Sequence, residues 1–122
     1  MQGKIIRMKE YSSLALHISK VIRTSIAADQ GNSLDDREVQ LLEHVTSQHI
    51  QNNRVFMEDG ISLRHLGSRY TLRKSIKVLI DLDYLRIAPT QDSRQRALAP
   101  SERTLNLYET IGKSISHILA VK

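Results

Sequence analysis

The fold is decided by the stretch LGSRYTLRKSIKVLIDLDYLR, which occupies residues 66 to 86. Its apolar residues recur at the spacing of one helix face, and three of them are Leu72, Ile76 and Leu79. This periodicity predicts a helix over about residues 69–83. Immediately before it, Gly67 permits a tight turn with a positive φ, and the hydroxyl of Ser68 can cap the first helical amides. A glycine turn that leads into an amphipathic helix is typical of the second half of a helix-turn-helix.

A second face of the same helix is polar and basic. Four residues share it at i, i+3, i+4 and i+7: Tyr70, Arg73, Lys74 and Lys77. An α-helix fits the major groove of double-stranded DNA, so we expect this face to meet bases and phosphates, together with Arg69 in the first turn. Arg73 is the predicted base reader, because arginine can pair bidentately with guanine whereas lysine more often contacts phosphate as a point charge. A charged helix face is also a common solvated surface, and that alternative stays open here.

Two helices are predicted before this stretch. One begins at about Asp36, where Asp35 and Glu38 form a capping box, and continues to about residue 53. The other is short and runs from about residue 57 to residue 65. Residues 57–83 would then form the complete helix-turn-helix.

A β-hairpin, or wing, is predicted after the basic helix. Short strand-like runs at residues 84–88 and 94–98 flank the turn-rich segment 89–93, so the wing covers residues 84–99. Its tip, residues 89–96, carries Arg94 and Arg96. We expect this tip to lie at the minor groove or along the phosphate backbone.

Two longer helices are predicted at the ends of the chain, over about residues 10–28 and 101–121. Ser101 is the expected N-cap of the second, and a loop with Gly31 and Asn32 follows the first. Both helices carry more apolar residues than one winged core of this size needs, and such an excess predicts a homodimer interface. The residues predicted for it are Leu14, Leu16, Ile26, Leu107, Ile115, Ile118 and Leu119. A monomer with scattered apolar surface residues is the alternative.

Positive charge is concentrated in one segment. Residues 64–103 hold nine basic and four acidic residues, whereas the remainder holds nine of each sign. This segment therefore accounts for the whole formal net charge of +5. A surplus confined to one segment predicts a surface for a polyanion, although a surplus that only keeps the protein soluble is the alternative.

Composition bounds the remaining possibilities. A length of 122 residues fits a single domain over residues 1–122, and 40% hydrophobic with 25% charged residues is a globular balance. The chain has no cysteine, and charged residues interrupt its N-terminal apolar stretch, so we expect a cytoplasmic protein without disulfides or a membrane span. Its five histidines lack metal-ligand spacing, and it has no phosphate-binding glycine loop or catalytic motif. We expect no metal, no cofactor and no enzymatic activity.

Part of the sequence resembles a known family. The run from Thr71 to Arg86 looks like a recognition helix and its exit into a wing, and Asp92-Ser93-Arg94 with the later Leu98 is similar to a wing signature. These are features of MarR-like winged helix-turn-helix regulators, and the likeness covers roughly residues 34–101. Glycine is usual in the family where this chain has Asp83.

The resemblance implies roles for particular residues. Arg94 would reach into the minor groove, and Asp92 would stabilise the wing by pairing with a basic side chain. The terminal helices would form the dimer. A small-molecule effector would fit the family pattern, although no residue of this sequence marks a pocket for one.

The sequence thus predicts a mainly α protein with a small β-hairpin, in the order α-α-α-α-β-β-α, that dimerises through its terminal helices. The expected function is that of a sequence-specific regulator of transcription, a repressor, which binds double-stranded DNA as a homodimer. A different class of function also fits this fold. Winged helices serve as protein-interaction modules as well, and the basic face would then bind an acidic protein partner.

Overall fold

The structure is a computed structural model that describes residues 2–29, 34–92 and 94–120, with side chains from residue 9 onward. It consists of two compact units, residues 1–33 with 107–122 and residues 34–106. The single domain expected over residues 1–122 stays a prediction.

The first unit is helical. Its helix α1 (Gln2–Ala28) begins eight residues before the predicted start at about residue 10 and ends where predicted. The loop predicted at Gly31 and Asn32 lies outside the described residues. The last helix of the chain, α5 (Glu102–Ala120), contributes its residues from 107 onward to this unit. No helix in the described part of the chain is long and apolar enough to cross a membrane.

In the second unit, α2 (Asp36–Ile50) begins at the predicted capping box. The amide of Glu38 donates to Asp35 Oδ1 at 2.7 Å, and the amide of Asp35 donates to Glu38 Oε1 at 2.9 Å. The helix ends three residues earlier than predicted, because Asn52 adopts a left-handed φ of 63°. The amides of Asn52 and Asn53 bond back to carbonyl groups of the last turn at 3.0 and 2.8 Å. This is a Schellman motif, which gives the helix a defined C-terminal cap.

The helix predicted over residues 57–65 is much shorter in the structure, where α3 (Met57–Gly60) has a single turn. Its last residue, Gly60, is buried. A Cβ atom at Gly60 would lie 3.1 Å from Leu98 Cδ1 and 3.2 Å from Ile76 Cδ1. Glycine thus permits close packing here, and the same residue weakens the helix that the prediction extended through it.

The sheet has three antiparallel strands, β1 (Val55–Phe56), β2 (Leu85–Ala88) and β3 (Ala97–Pro100), in the order β1-β3-β2. Strand β1 was not predicted, because two residues are too few for a periodic pattern. The second hairpin strand begins three residues later than the predicted residue 94. Every residue of β3 is buried, whereas Arg94 and Arg96 are exposed, so the two arginines lie in the hairpin loop.

Helix α4 (Arg69–Asp81) ends two residues before the predicted residue 83. Asp83 has a φ of 63°, and the amides of Asp83 and Tyr84 bond to the carbonyls of Ile80 and Leu79 at 3.0 and 2.8 Å. This second Schellman motif has the usual apolar pair, since Tyr84 and Leu79 are both fully buried. The order of elements is α-α-β-α-α-β-β-α rather than the predicted α-α-α-α-β-β-α.

The core of the second unit lies between α2, the sheet and α4, since α2 contacts both β3 and α4. Its fully or almost fully buried apolar side chains include Leu41, Leu42, Val45, Val55, Ile61, Leu72, Ile76, Leu79, Tyr84, Leu85 and Leu98. Helix α4 is therefore fixed along one face, and its other face is free to point outward.

Candidate nucleic-acid interface

Of the two predicted faces of α4, the apolar one is buried and the basic one is exposed. The inner face carries four buried residues: Leu72, Ser75, Ile76 and Leu79. The outer face carries the four predicted contact residues, all of them exposed: Tyr70, Arg73, Lys74 and Lys77. Tyr70 keeps 69% of its surface exposed, which is far more than packing of an aromatic ring inside the unit would leave. The structure thus exposes all four residues, and their contact with DNA stays a prediction.

The start of α4 is held by its predicted cap and by a contact from α2. Ser68 Oγ accepts a hydrogen bond from the amide of Thr71 at 3.1 Å, as predicted. Arg37 of α2 donates from Nε to the carbonyl of Leu66 at 2.7 Å, and a Cβ atom at Gly67 would approach that same Nε to 3.0 Å. Glycine in the turn thus lets Arg37 reach the backbone, a role that the sequence did not reveal.

Arg69 is held by α3. Its guanidinium forms an ion pair with Glu58 and lies 3.2 Å from Ser62 Oγ. Both charged side chains stay more than half exposed, at 54% and 70%. This pair joins the two helices of the helix-turn-helix across the turn, and the sequence analysis missed Glu58 as its acidic member.

The other basic residues of α4 differ in their partners. Lys77 Nζ lies 2.8 Å from Asp81 Oδ2, one turn further along the helix. Lys74 Nζ lies 4.7 Å from the centre of the Tyr70 ring, a cation–π contact. Arg73 forms no ion pair with any residue that the structure describes. It thus keeps its full set of donors available.

Two polar side chains form hydrogen bonds within the described residues of the hairpin loop, 89–92 and 94–96. Asp92 Oδ1 accepts from the amide of Arg94 at 3.0 Å and lies 3.8 Å from Arg94 Nε. Thr90 Oγ1 lies 2.5 Å from the carbonyl of Asp92 and 2.7 Å from that of Gln95, so its hydroxyl can donate to either. Sequence reasoning missed Thr90, although a hydroxyl next to Pro89 in a turn-rich segment was a usable signal. The side chain of Arg94 is 93% exposed.

Helix α4 and the loop border a shared cleft of about 910 Å³. Its basic lining residues are Arg73, Lys77, Arg94 and Arg96, and its acidic ones are Glu58 and Asp59. Four of the seven predicted contact residues therefore meet in one concavity. Glu58 and Asp59 reduce the positive field inside the cleft. The strongest positive field is therefore expected outside the cleft, on the solvent-facing side of α4 and the loop.

The residues that follow α4, 82–84, accept hydrogen bonds from the first turn of α5. Arg103 Nη1 donates to the carbonyl of Leu82 at 2.7 Å, and Ser101 Oγ donates to the carbonyl of Asp83 at 2.6 Å. Thr104 Oγ1 and the amide of Ser101 both donate to the carbonyl of Tyr84, at 2.6 and 2.9 Å. Three consecutive carbonyl groups are thus satisfied by one helical turn, which we call the α5 clasp (Ser101, Arg103 and Thr104).

The residues predicted for a dimer interface differ in exposure. Leu16 and Leu119 keep 71% and 51% of their surface exposed, whereas Ile26 keeps only 5%. The remaining four are half-buried: Leu14, Leu107, Ile115 and Ile118. Ile26 therefore has little surface to offer a second chain.

In the described part of the chain, no group of three or more His, Asp or Glu side chains is arranged so that it could hold a metal ion. No protein-family model matches the sequence, and no curated protein matches it either.

Solved structures, in contrast, match the chain along most of its length. A mutant MepR from a multidrug-resistant S. aureus clinical isolate has a TM-score of 0.60 at 11% identity, covering 99% of this chain and 80% of its own. NadR in complex with 4-hydroxyphenylacetate has a TM-score of 0.54 at 15% identity, covering 96% and 75%. MarR of S. aureus in complex with salicylate and kanamycin has a TM-score of 0.52 at 16% identity, covering 98% and 77%. The chain has the winged helix-turn-helix fold of MarR-family regulators.

Proposed function

We propose that this protein is a sequence-specific transcriptional regulator, a repressor, that binds double-stranded DNA as a cytoplasmic homodimer. One observation carries the proposal: α4 is buried along one face and exposes Tyr70, Arg73, Lys74 and Lys77 on the other. A helix fixed in this way can enter the major groove with its basic face forward. Its length of 13 residues, or about 20 Å at 1.5 Å per residue, is sufficient to reach several base pairs.

Arg73 is the residue that we assign to base recognition. Its guanidinium has no ion-pair partner among the described residues, so binding to guanine would break no existing pair. Arg69 and Lys77 are assigned to phosphates, and each would exchange its carboxylate partner for a phosphate. Exposed ion pairs of this kind contribute only about 0–1 kcal/mol, so little free energy is lost when the carboxylate is replaced by a phosphate.

The wing loop, residues 89–96, is assigned to the minor groove or the phosphate backbone. Asp92 and Thr90 order the loop, and Arg94 and Arg96 extend from it with exposed side chains. An ordered loop lowers the entropy that binding must remove, which favours a contact to DNA over a freely mobile arm.

The homodimer is proposed to form through the terminal helices. Exposed Leu16 and Leu119 support this, because leucines that keep more than half of their surface are costly in water when they are part of a larger apolar area. A two-fold dimer would set two copies of α4 about one DNA turn apart, roughly 34 Å. Ligands named with the matched structures, 4-hydroxyphenylacetate and salicylate, suggest a small-molecule effector for this chain too, without a site assigned to it.

The decisive test is a gel shift with duplex DNA flanking the gene, repeated across salt concentrations, with the mass measured by light scattering. If each subunit neutralises about four phosphates, log K should fall against log salt with a slope of about −7. A folded dimer that binds no duplex would contradict the proposal. That outcome would favour the other class, a winged-helix module whose basic face binds an acidic protein.

A further inference from the structure

A second concavity, distinct from the cleft beside α4, lies between the end of α2 and the wing. We call it the α2–wing groove, and it has a volume of about 310 Å³. Its lining comes from the end of α2, the segment before β1, and the hairpin: His49, Asn52, Asn53, Arg54, Arg86, Ala88, Pro89, Ala97, Leu98 and Ala99. This lining contains two arginines, one histidine and two asparagines, and it contains no carboxylate.

The two arginines distinguish this groove from the cleft beside α4. Within the described residues, Arg54 and Arg86 form neither an ion pair nor a side-chain hydrogen bond. The α4 cleft, in contrast, has Glu58 and Asp59 in its lining. Two unpaired guanidiniums in one concavity without an acid form a positive field that a bound anion would neutralise.

The floor of the groove is built from small residues. Register pairs Arg86 with Ala99 and Ala88 with Ala97, so these four side chains share one face of the hairpin. Ala97 and Ala99 are almost completely buried, at 1% and 4% exposure. Arg86 lies beside these covered alanines and is itself exposed.

We propose that the α2–wing groove binds a phosphate group. Each guanidinium can direct a pair of N–H donors at one anion, which gives four donors from the two arginines. The side-chain amides of Asn52 and Asn53 add further N–H donors. This donor set matches the three terminal oxygens and the charge of a phosphate better than the two oxygens of a carboxylate. Two sources share the anionic phosphate oxygens: a free phosphate compound, with at least three terminal oxygens, and the backbone of a DNA duplex that extends past the wing, with two on each diester.

The groove lies at the C-terminal end of α2, and the helix dipole there opposes anion binding, although more weakly than the two arginines favour it. A helix C-terminus carries a partial charge of roughly −0.5, which repels anions and favours nearby cations. The Schellman bonds from Asn52 and Asn53 already satisfy carbonyl groups of the last turn, and two full positive charges exceed the remaining partial charge. The competing explanation is that Arg54 and Arg86 serve only to balance this dipole.

The test is a titration of the full chain with inorganic phosphate, followed by NMR of the backbone amides of Asn53 and Ala99, without any DNA. We expect saturable shifts in the unmodified protein, with affinity reduced roughly tenfold to hundredfold in R54Q and in R86Q. R64Q is the matched control, because Arg64 is exposed and lines neither the groove nor the α4 cleft, so its loss should leave these shifts unchanged. Since no DNA is present, the result is independent of the proposed regulatory function.

A second arm identifies the source of the phosphate. Duplexes of increasing length are bound to unmodified protein and to R54Q/R86Q, and a loss that occurs only with the longer duplexes indicates the DNA backbone. Phosphate binding without any such length-dependent loss indicates a free compound. Absence of binding in both arms would overturn the proposal. It would also be overturned if R54Q and R86Q lowered stability while leaving phosphate affinity intact, since that result identifies dipole balance as the role of both arginines.

Discussion

Replacing Ser101 with alanine should destabilise the protein by about twice as much as an ordinary cap replacement. Ser101 Oγ accepts from the amide of Thr104 at 3.2 Å, which is the N-cap bond of α5, and donates to the carbonyl of Asp83 at 2.6 Å. Loss of an N-cap costs about 1 kcal/mol, and loss of one further hydrogen bond costs about 1 kcal/mol. S101A should therefore lower the free energy of unfolding by about 2 kcal/mol, the sum of these two effects.

Ser68 provides the matched control. It is also the N-cap of a helix, and its Oγ accepts from the amide of Thr71 at 3.1 Å. Its other recorded contact is local, with the hydroxyl of Thr71, so no bond to a distant backbone group is lost. S68A should cost about 1 kcal/mol, the value of the cap alone.

The measurement is urea-induced unfolding of both variants at one protein concentration, because the proposed dimerisation would make the apparent stability depend on concentration. Equal slopes with urea would show that the same surface is exposed on unfolding in each case. If S101A costs no more than S68A, the bond to Asp83 contributes nothing, and any stabilisation of the exit of α4 by the α5 clasp comes from Arg103 and Thr104.

Four further substitutions test other parts of the structure. D83G should raise the free energy of unfolding by about 0.5–1 kcal/mol, because glycine adopts the observed φ of 63° without the steric cost of a side chain; a loss of stability in urea would contradict this. G60A should lower it by about 1–3 kcal/mol, since the new methyl group would lie 3.1 Å from Leu98 Cδ1 in a filled core, and unchanged stability would show that the core yields freely. R73A should weaken binding to the preferred duplex by about 1–3 kcal/mol and relax selectivity at one base position, whereas K77A should weaken all duplexes alike; equal affinity of both variants and the unmodified protein in gel shifts would remove α4 from the DNA interface.

Local chemistry explains what could be predicted from the sequence. The capping box at Asp35 and Glu38 and the serine caps at Ser68 and Ser101 each involve residues within three positions of one another. The basic face of α4 follows from a single helical period. Features of this kind are encoded in a short window, and the structure contains them at the predicted positions.

Long-range contacts explain what could not be predicted. Strand β1 exists because Val55 and Phe56 pair with Leu98 and Ala97, more than forty positions away, and two residues alone have no strand signal. The bond from Arg37 to Leu66 and the α5 clasp also join distant segments. Asp83 is an intermediate case: its departure from the usual glycine was visible in the sequence, and its left-handed backbone shows why glycine is favoured there.

The restraint of α4 at both ends has a consequence for recognition. Its first turn is capped by Ser68, and its exit is bonded through Leu82, Asp83 and Tyr84 to the first turn of α5. A rotation of α4 about its axis would move Arg73 relative to the wing, and it would also break bonds to three consecutive carbonyl groups. The bond to the Tyr84 carbonyl is buried, and a buried carbonyl left unsatisfied costs about 1–3 kcal/mol, so α4 and the start of α5 are expected to move as one body. The direction of the basic face is therefore set by hydrogen bonds to its exit as much as by the apolar residues beneath it.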